Sequence, residues 1–129
     1  MKKGTLLVSF LIILSMLLTA CGGGGGEEKI KVGLIAELTG DIPAVGASCK
    51  NAAEMAVKEI NDAGGLEING KKYMVELFIE DNAGKADQSA AAAQKLITQQ
   101  NVVAIIGPNA SRYAIPASEV AESSKVVLI

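Results

Sequence analysis

Between Val102 and Glu119 the chain reads VVAIIGPNASRYAIPASE, and this stretch holds the residues best suited to grip a small molecule. An apolar run stops at Gly107-Pro108, Asn109, Ala110 and Ser111 follow, and a helical pattern then begins. Glycine permits close backbone approach and proline ends a strand. Asn109 to Ser111 then lead into a helix N-terminus, where unsatisfied amides and the positive end of the helix dipole favour an anion. The Ser111 hydroxyl adds a hydrogen bond, so a carboxylate is the natural guest. The same hydroxyl serves equally well as the N-cap of its own helix, and spacing alone leaves both roles open. Pro116 leaves the start of that helix open too, since proline is most at home in a first turn.

Other chemistries lack their residues. The chain has no His and two Cys, which leaves almost nothing to ligate a transition metal. Gly40 and Gly46 are followed by Ala47 rather than Lys, so no phosphate-binding loop forms there, and no G-x-G-x-x-G follows a strand. Glu80-Asp81 is the one acidic pair at a strand end. Without a His or nucleophile beside it, the pair is expected to be a solvated loop, not an acid–base dyad. No catalytic constellation emerges, and neither an enzyme nor a bound cofactor is expected. With two Tyr, two Phe, no Trp and no basic patch, nucleic-acid binding is excluded as well.

The beginning of the chain reads as an export signal. Met1-Lys2-Lys3 is basic, Leu6 to Leu18 is almost wholly apolar, and Leu18-Thr19-Ala20-Cys21 follows. That 13-residue run falls short of the ~20 residues that cross a bilayer, whereas a basic flank and small residues before a break fit a secretory signal. The box around Cys21 resembles a bacterial lipobox, and this resemblance implies cleavage before Cys21 and a diacylglycerol on its thiol. Residues 1–20 are therefore expected to be a lipoprotein signal peptide and residues 21–28, GGGGG and two Glu after the cysteine, a flexible tether. The expected product is exported and lipid-anchored at the membrane surface. In such a bacterial protein the sequon Asn109-Ala110-Ser111 carries no meaning for glycosylation. Past residue 20 the chain holds 10 Lys and Arg against 14 Asp and Glu, a net charge of −4. With Cys21 lipidated, Cys49 has no disulfide partner and is expected to be a buried helix thiol.

Residues 29–129 alternate between two periods. Strands are expected over Ile30–Ala36, Tyr73–Ile79, Val102–Ile106 and Val126–Ile129. Helices are expected over Asn51–Asp62, with Ala53, Ala56, Val57 and Ile60 on one face, over Lys85–Gln100, and over Ser111–Ser123. Gly64-Gly65 stops the first helix, and Asn69-Gly70 is a strong two-residue hairpin signal. Strands alternating with helices imply an α/β fold with a doubly wound, mainly parallel sheet in the order 2-1-3-4. The ligand crevice of such a sheet lies where connections leave in opposite directions. Here that places it at the ends of the first and third strands, in the loops Leu38–Gly46 and Gly107–Ser111.

At these residues the chain resembles a family. The segments IKVGLIAELTGDIPAVGASCKNAAEMAVKEINDAGGLEINGKKYMVELFIEDN, AAAAQKLITQQNVVAIIGPNAS and VAESSKVVLI are similar to the N-terminal lobe of type I periplasmic binding proteins. The nearest group is the leucine/isoleucine/valine substrate-binding proteins of ABC transporters. The likeness covers essentially all of Ile30 to Ile129, and NDAGG and IIGP are its more specific parts. It implies a two-lobe protein that closes on a small amino-acid-like ligand and delivers it to an ABC permease, with this chain an incomplete first lobe. It also implies that Ser111 binds the ligand α-carboxylate. The first-loop position where members often place an aromatic residue against the ligand falls on Val45, a departure that bears on side-chain preference. Some members join the loops after the second and third strands by a disulfide; the matching positions, about Gly84 and Ala110, cannot. A ligand-binding sensor module of the same fold is the second function class, and the lipid anchor favours the transport carrier.

Overall fold

The computed structural model describes residues 28–129. The expected signal peptide, the Cys21 box and all but the last residue of the expected tether lie outside the described residues.

Five strands form one sheet: β1 (Lys29–Ala36), β2 (Leu66–Ile68), β3 (Lys71–Asp81), β4 (Ala104–Ile106) and β5 (Val127–Leu128), in the order β2-β3-β1-β4-β5. β1 runs parallel to both β3 and β4, and β4 parallel to β5. β2 is antiparallel to β3. The turn between them has Asn69 at φ 52 and Gly70 at φ 78, the pair of positive angles that a type I′ hairpin demands. Without this short hairpin strand the order is the expected 2-1-3-4.

Three helices cover the sheet: α1 (Pro43–Asp62), α2 (Ala86–Lys95), which widens into a π turn over Leu96–Gln100, and α3 (Ser111–Ser123). Because side chains alternate across a strand, β1 divides the molecule into two layers. Ile35 joins Ala92, Ala93, Leu96, Val102, Ile105 and Ala117 in the buried core beneath α2 and α3. Gly33 lies on the same side, where a Cβ would stand 2.7 Å from a Leu96 methyl carbon. Leu34 points the other way and lines a groove with Cys49 and Ala53 of α1. Cys49 is thus half-buried rather than buried, and Ala56, expected on the apolar face of α1, is exposed.

α1 begins eight residues before the expected Asn51. Pro43 sits at its N-terminus, where a fixed φ and a missing N–H cost nothing. Gly46, expected in the loop, is buried in the helix and lies so close to the end of β1 that a Cβ there would meet the Glu37 carbonyl oxygen at 2.1 Å. At the other end Gly64 and Gly65 take φ of 93 and 85 and donate to Asn61 and Ile60, a Schellman ending. Asn61 does more: its side-chain amide donates to the Val75 carbonyl at 2.9 Å and accepts from the Val75 N–H at 2.8 Å. This pair caps β3 where the short β2 leaves off. Asn61→Ala strips both bonds from a part-buried backbone and is expected to cost about 2 kcal/mol, read from chemical denaturation midpoints.

On the α1 side of the sheet, α1 packs over β1 and β3. Over β4 and β5 that face is uncovered among the described residues, and Ile106, Val127 and Ile129 are exposed. No described helix is long and apolar enough to cross a membrane.

Candidate functional site

Three loops meet at the carboxyl ends of β1, β3 and β4: residues 37–42, residues 82–85 and residues 107–110. α1 leaves β1 toward one face, while α2 and α3 lie together on the other. This is the reversal of winding at which an open α/β sheet forms its crevice. The loops are packed on one another. Gly40, at φ 98, lies so close to the second loop that a Cβ would meet the Ala83 carbonyl oxygen at 2.6 Å. Gly84, at φ 63, lies under the Tyr113 hydroxyl, 3.3 Å from where a Cβ would stand. Arg112 reaches back to Asp41 at 3.7 Å. No disulfide is needed to draw these loops together, and Gly84 and Ala110 form none.

Gly107 takes φ 77, and a Cβ on it would lie 2.5 Å from the Ile35 carbonyl oxygen. The close approach that a glycine allows here is therefore to the neighbouring strand. Beyond Pro108, Ala110 is the N-cap of α3, in extended conformation (φ −92, ψ 126) and without a side-chain cap. Ser111 is the first helical residue and exposed, so the sequence alternative that made it the N-cap fails by one position. The first bonds of the helix run from the Tyr113 and Ala114 amides to the Ala110 carbonyl, at 2.9 and 3.0 Å. As at any helix start, the amides before them lack an intrahelical acceptor. α3 continues through Pro116, which stands inside it rather than in its first turn. Asn109, Ala110 and Ser111 thus stand together at an uncapped helix start on the crevice.

Val45 belongs to the first turn of α1 rather than to the loop, and is 41% exposed. An apolar groove of about 370 Å³ runs on the α1 side of β4, lined by Leu34, Cys49, Ala53, Ile106 and Asn109 among others. Among the described residues no cluster of His, Cys, Asp and Glu could hold a metal ion.

Two acidic residues depart from the sequence reading. Glu80 and Asp81 close β3 instead of forming a solvated loop. Glu80 pairs with Lys95 of α2 at 2.7 Å. Asp81 accepts from the amides of Leu38 (2.9 Å), Thr39 (3.2 Å) and Ala83 (2.8 Å) and from the Thr39 hydroxyl (2.6 Å). Burial pushes its carboxyl up, but the bonds from Thr39, Ala83 and Leu38 outweigh burial and hold it below the ordinary aspartate value.

The third acidic residue was missed altogether. Glu37 is fully buried, and neither carboxyl oxygen has a hydrogen-bond partner among the described residues. Its signal in the sequence is a charged residue that prolongs the apolar run IKVGLIA without a turn residue between. Leaving a buried polar group unpaired costs about 1–3 kcal/mol, and an apolar group of similar shape removes that cost. Glu37→Met is therefore expected to raise the thermal midpoint. A lowered midpoint would mean that the carboxyl has a partner its replacement abandons.

The chain belongs to the periplasmic binding protein family, whose model matches residues 29–129. Within that family its similarity runs to the branched-chain amino acid binding proteins. It is 41% identical to the Leu/Ile/Val-binding protein BraC3 of Rhizobium johnstonii over 100 residues, which are 78% of this chain and 26% of the relative. The crystal structure of the branched-chain amino acid transporter substrate-binding protein LivJ of Streptococcus pneumoniae, in complex with isoleucine, superposes with a TM-score of 0.71. That match has 35% identity and covers 78% of this chain and 28% of LivJ. A solute-binding protein of an ABC transporter from Rhodopseudomonas palustris, in complex with 3,4-dihydroxybenzoic acid, gives a TM-score of 0.67 at 31% identity, over 79% and 26% of the two chains. The chain spans about a quarter of the length of these relatives.

Proposed function

We propose that this chain supplies the first lobe of an extracytoplasmic substrate-binding protein, which captures a small amino-acid-like carboxylate for an ABC importer. Binding, not catalysis, is its task. The observation that carries the reading is the uncapped start of α3 at the sheet's winding reversal. There Ser111 offers an exposed hydroxyl beside amides that lack intrahelical acceptors. The relatives' names support it, since one is a Leu/Ile/Val-binding protein and another is described with isoleucine. In this reading Asn109, Ala110 and Ser111 hold the carboxylate, and Val45 faces the ligand's side chain. Cys21 carries the lipid that keeps the protein at the outer face of the membrane, close to its permease.

A second ligand class has its own support. The Rhodopseudomonas palustris relative is described with an aromatic acid, and both classes share the carboxylate. Calorimetric titration with leucine, isoleucine, valine and 3,4-dihydroxybenzoate separates them. The aliphatic amino acids are expected to bind more tightly. Preference for the benzoate would move the ligand class, and binding of none would reject the carrier reading.

A further inference from the structure

We infer that Asp81 is a positioning residue for the ligand crevice: its carboxylate sets the conformation of the loop Leu38–Asp41, and through it the affinity for ligand. The inference rests on the crevice reading above and deepens it. Residues 38–41 follow the last pairs of β1 and precede the first turn of α1, without helix or strand of their own. Their geometry therefore comes from outside the segment. Asp81 supplies it, because Oδ1 receives the Leu38 and Thr39 amides and Oδ2 the Thr39 hydroxyl. Oδ1 also receives the Ala83 amide, which ties the second loop to the first through one side chain. Gly40 is then laid against the Ala83 carbonyl, and Asp41 is brought within reach of Arg112 on α3. A single carboxylate at the end of β3 thus connects the first two crevice loops, and they meet the helix start where the ligand acid is placed. Bonds to an ionised acceptor are the strong ones, and a neutral replacement cannot satisfy all four donors. The core, by contrast, is centred on Ile35, Leu96 and Ile105, while Thr39, Gly40 and Asp41 are exposed. Losing the carboxylate is therefore expected to release the loop and leave the core in place.

Amide hydrogen exchange and a leucine titration followed by amide NMR shifts, both on the full chain, test this. In Asp81→Ala the Leu38 and Thr39 amides are expected to exchange at least ~10-fold faster, while those of Ile35 and Ile105 keep their wild-type rates. Leucine affinity is expected to fall about tenfold, the order of one charge-assisted hydrogen bond. Thr39→Ser keeps the hydroxyl and is expected to keep affinity; Thr39→Val is expected to lose it several-fold. Released loop amides with unchanged affinity would overturn the inference, as would unchanged exchange. If Asp81→Ala does not fold, the Thr39 pair decides, since equal affinities for Ser and Val at this position refute the positioning role. If the wild type binds no leucine, the functional reading fails by itself, and the loop amides alone then decide whether Asp81 sets the loop.

Discussion

Ser111→Ala is expected to weaken amino-acid binding by roughly 10- to 150-fold in a protein of the relatives' length that carries this lobe. A hydrogen bond to a charged group is worth about 1.5–3 kcal/mol, which converts directly to that range. The structure sharpens the control. Ser111 stands one position inside α3, with Ala110 as N-cap, so its hydroxyl is not the capping group. Removing an N-cap costs about 1 kcal/mol of stability, and here the melting curve is expected to move by less than that. Calorimetric titration and melting of both proteins read the two effects separately. Unchanged affinity would leave the carboxylate to backbone amides alone, and a lowered midpoint with it would return Ser111 to a structural role.

The other large effect concerns Cys21. Leu18-Thr19-Ala20-Cys21, the proposed lipid attachment box, is followed by five glycines and two glutamates, a composition suited to solvent. Acyl chains contribute ~0.8 kcal/mol per buried methylene, and two chains give an anchor that one cannot. Metabolic labelling with fatty acid is expected to mark the wild type and to place it in the membrane fraction. Cys21→Ala is expected to take up no label and either to remain an uncleaved precursor or to lose the membrane. Equal labelling of the two would reject the lipoprotein proposal.

The layout of the sheet was legible because it depends on local signals. Asn69-Gly70 requires two positive φ angles that few other pairs tolerate, and the hairpin forms there. Ser111–Ser123 forms over the bounds expected, with Pro116, which left its start open, inside it. The start of α1 was not legible. Pro43 to Ser48 has no helical face to read, and Gly46 lies on the Glu37 backbone, a contact between positions apart in the chain and close in space that no local pattern announces. β4 and β5 are shorter than their apolar runs, since pairing partners and not composition end a strand. The site divides in the same way. Asn109 to Ser111 announce a strand end and a helix start, both of which the structure has. Asp81 could be read only as one of two acids beside a turn, because its four donors come from loops whose folding it shares. Glu37 has a sign in the sequence, a carboxylate that prolongs an apolar run.

In the proposed function the uncapped start of α3 receives the ligand's carboxylate. Backbone amide shifts of the isotope-labelled chain during titration with leucine test it most directly, and they register weak binding as well as tight. The amides of Asn109 to Arg112 are expected to move most and saturate together, those of Leu38 and Thr39 to follow to a smaller extent, and leucinamide, which lacks the carboxylate, to move none of them. Shifts confined to the groove beside α1, around Cys49, Ala53 and Ile106, with residues 109–112 unmoved, would contradict it.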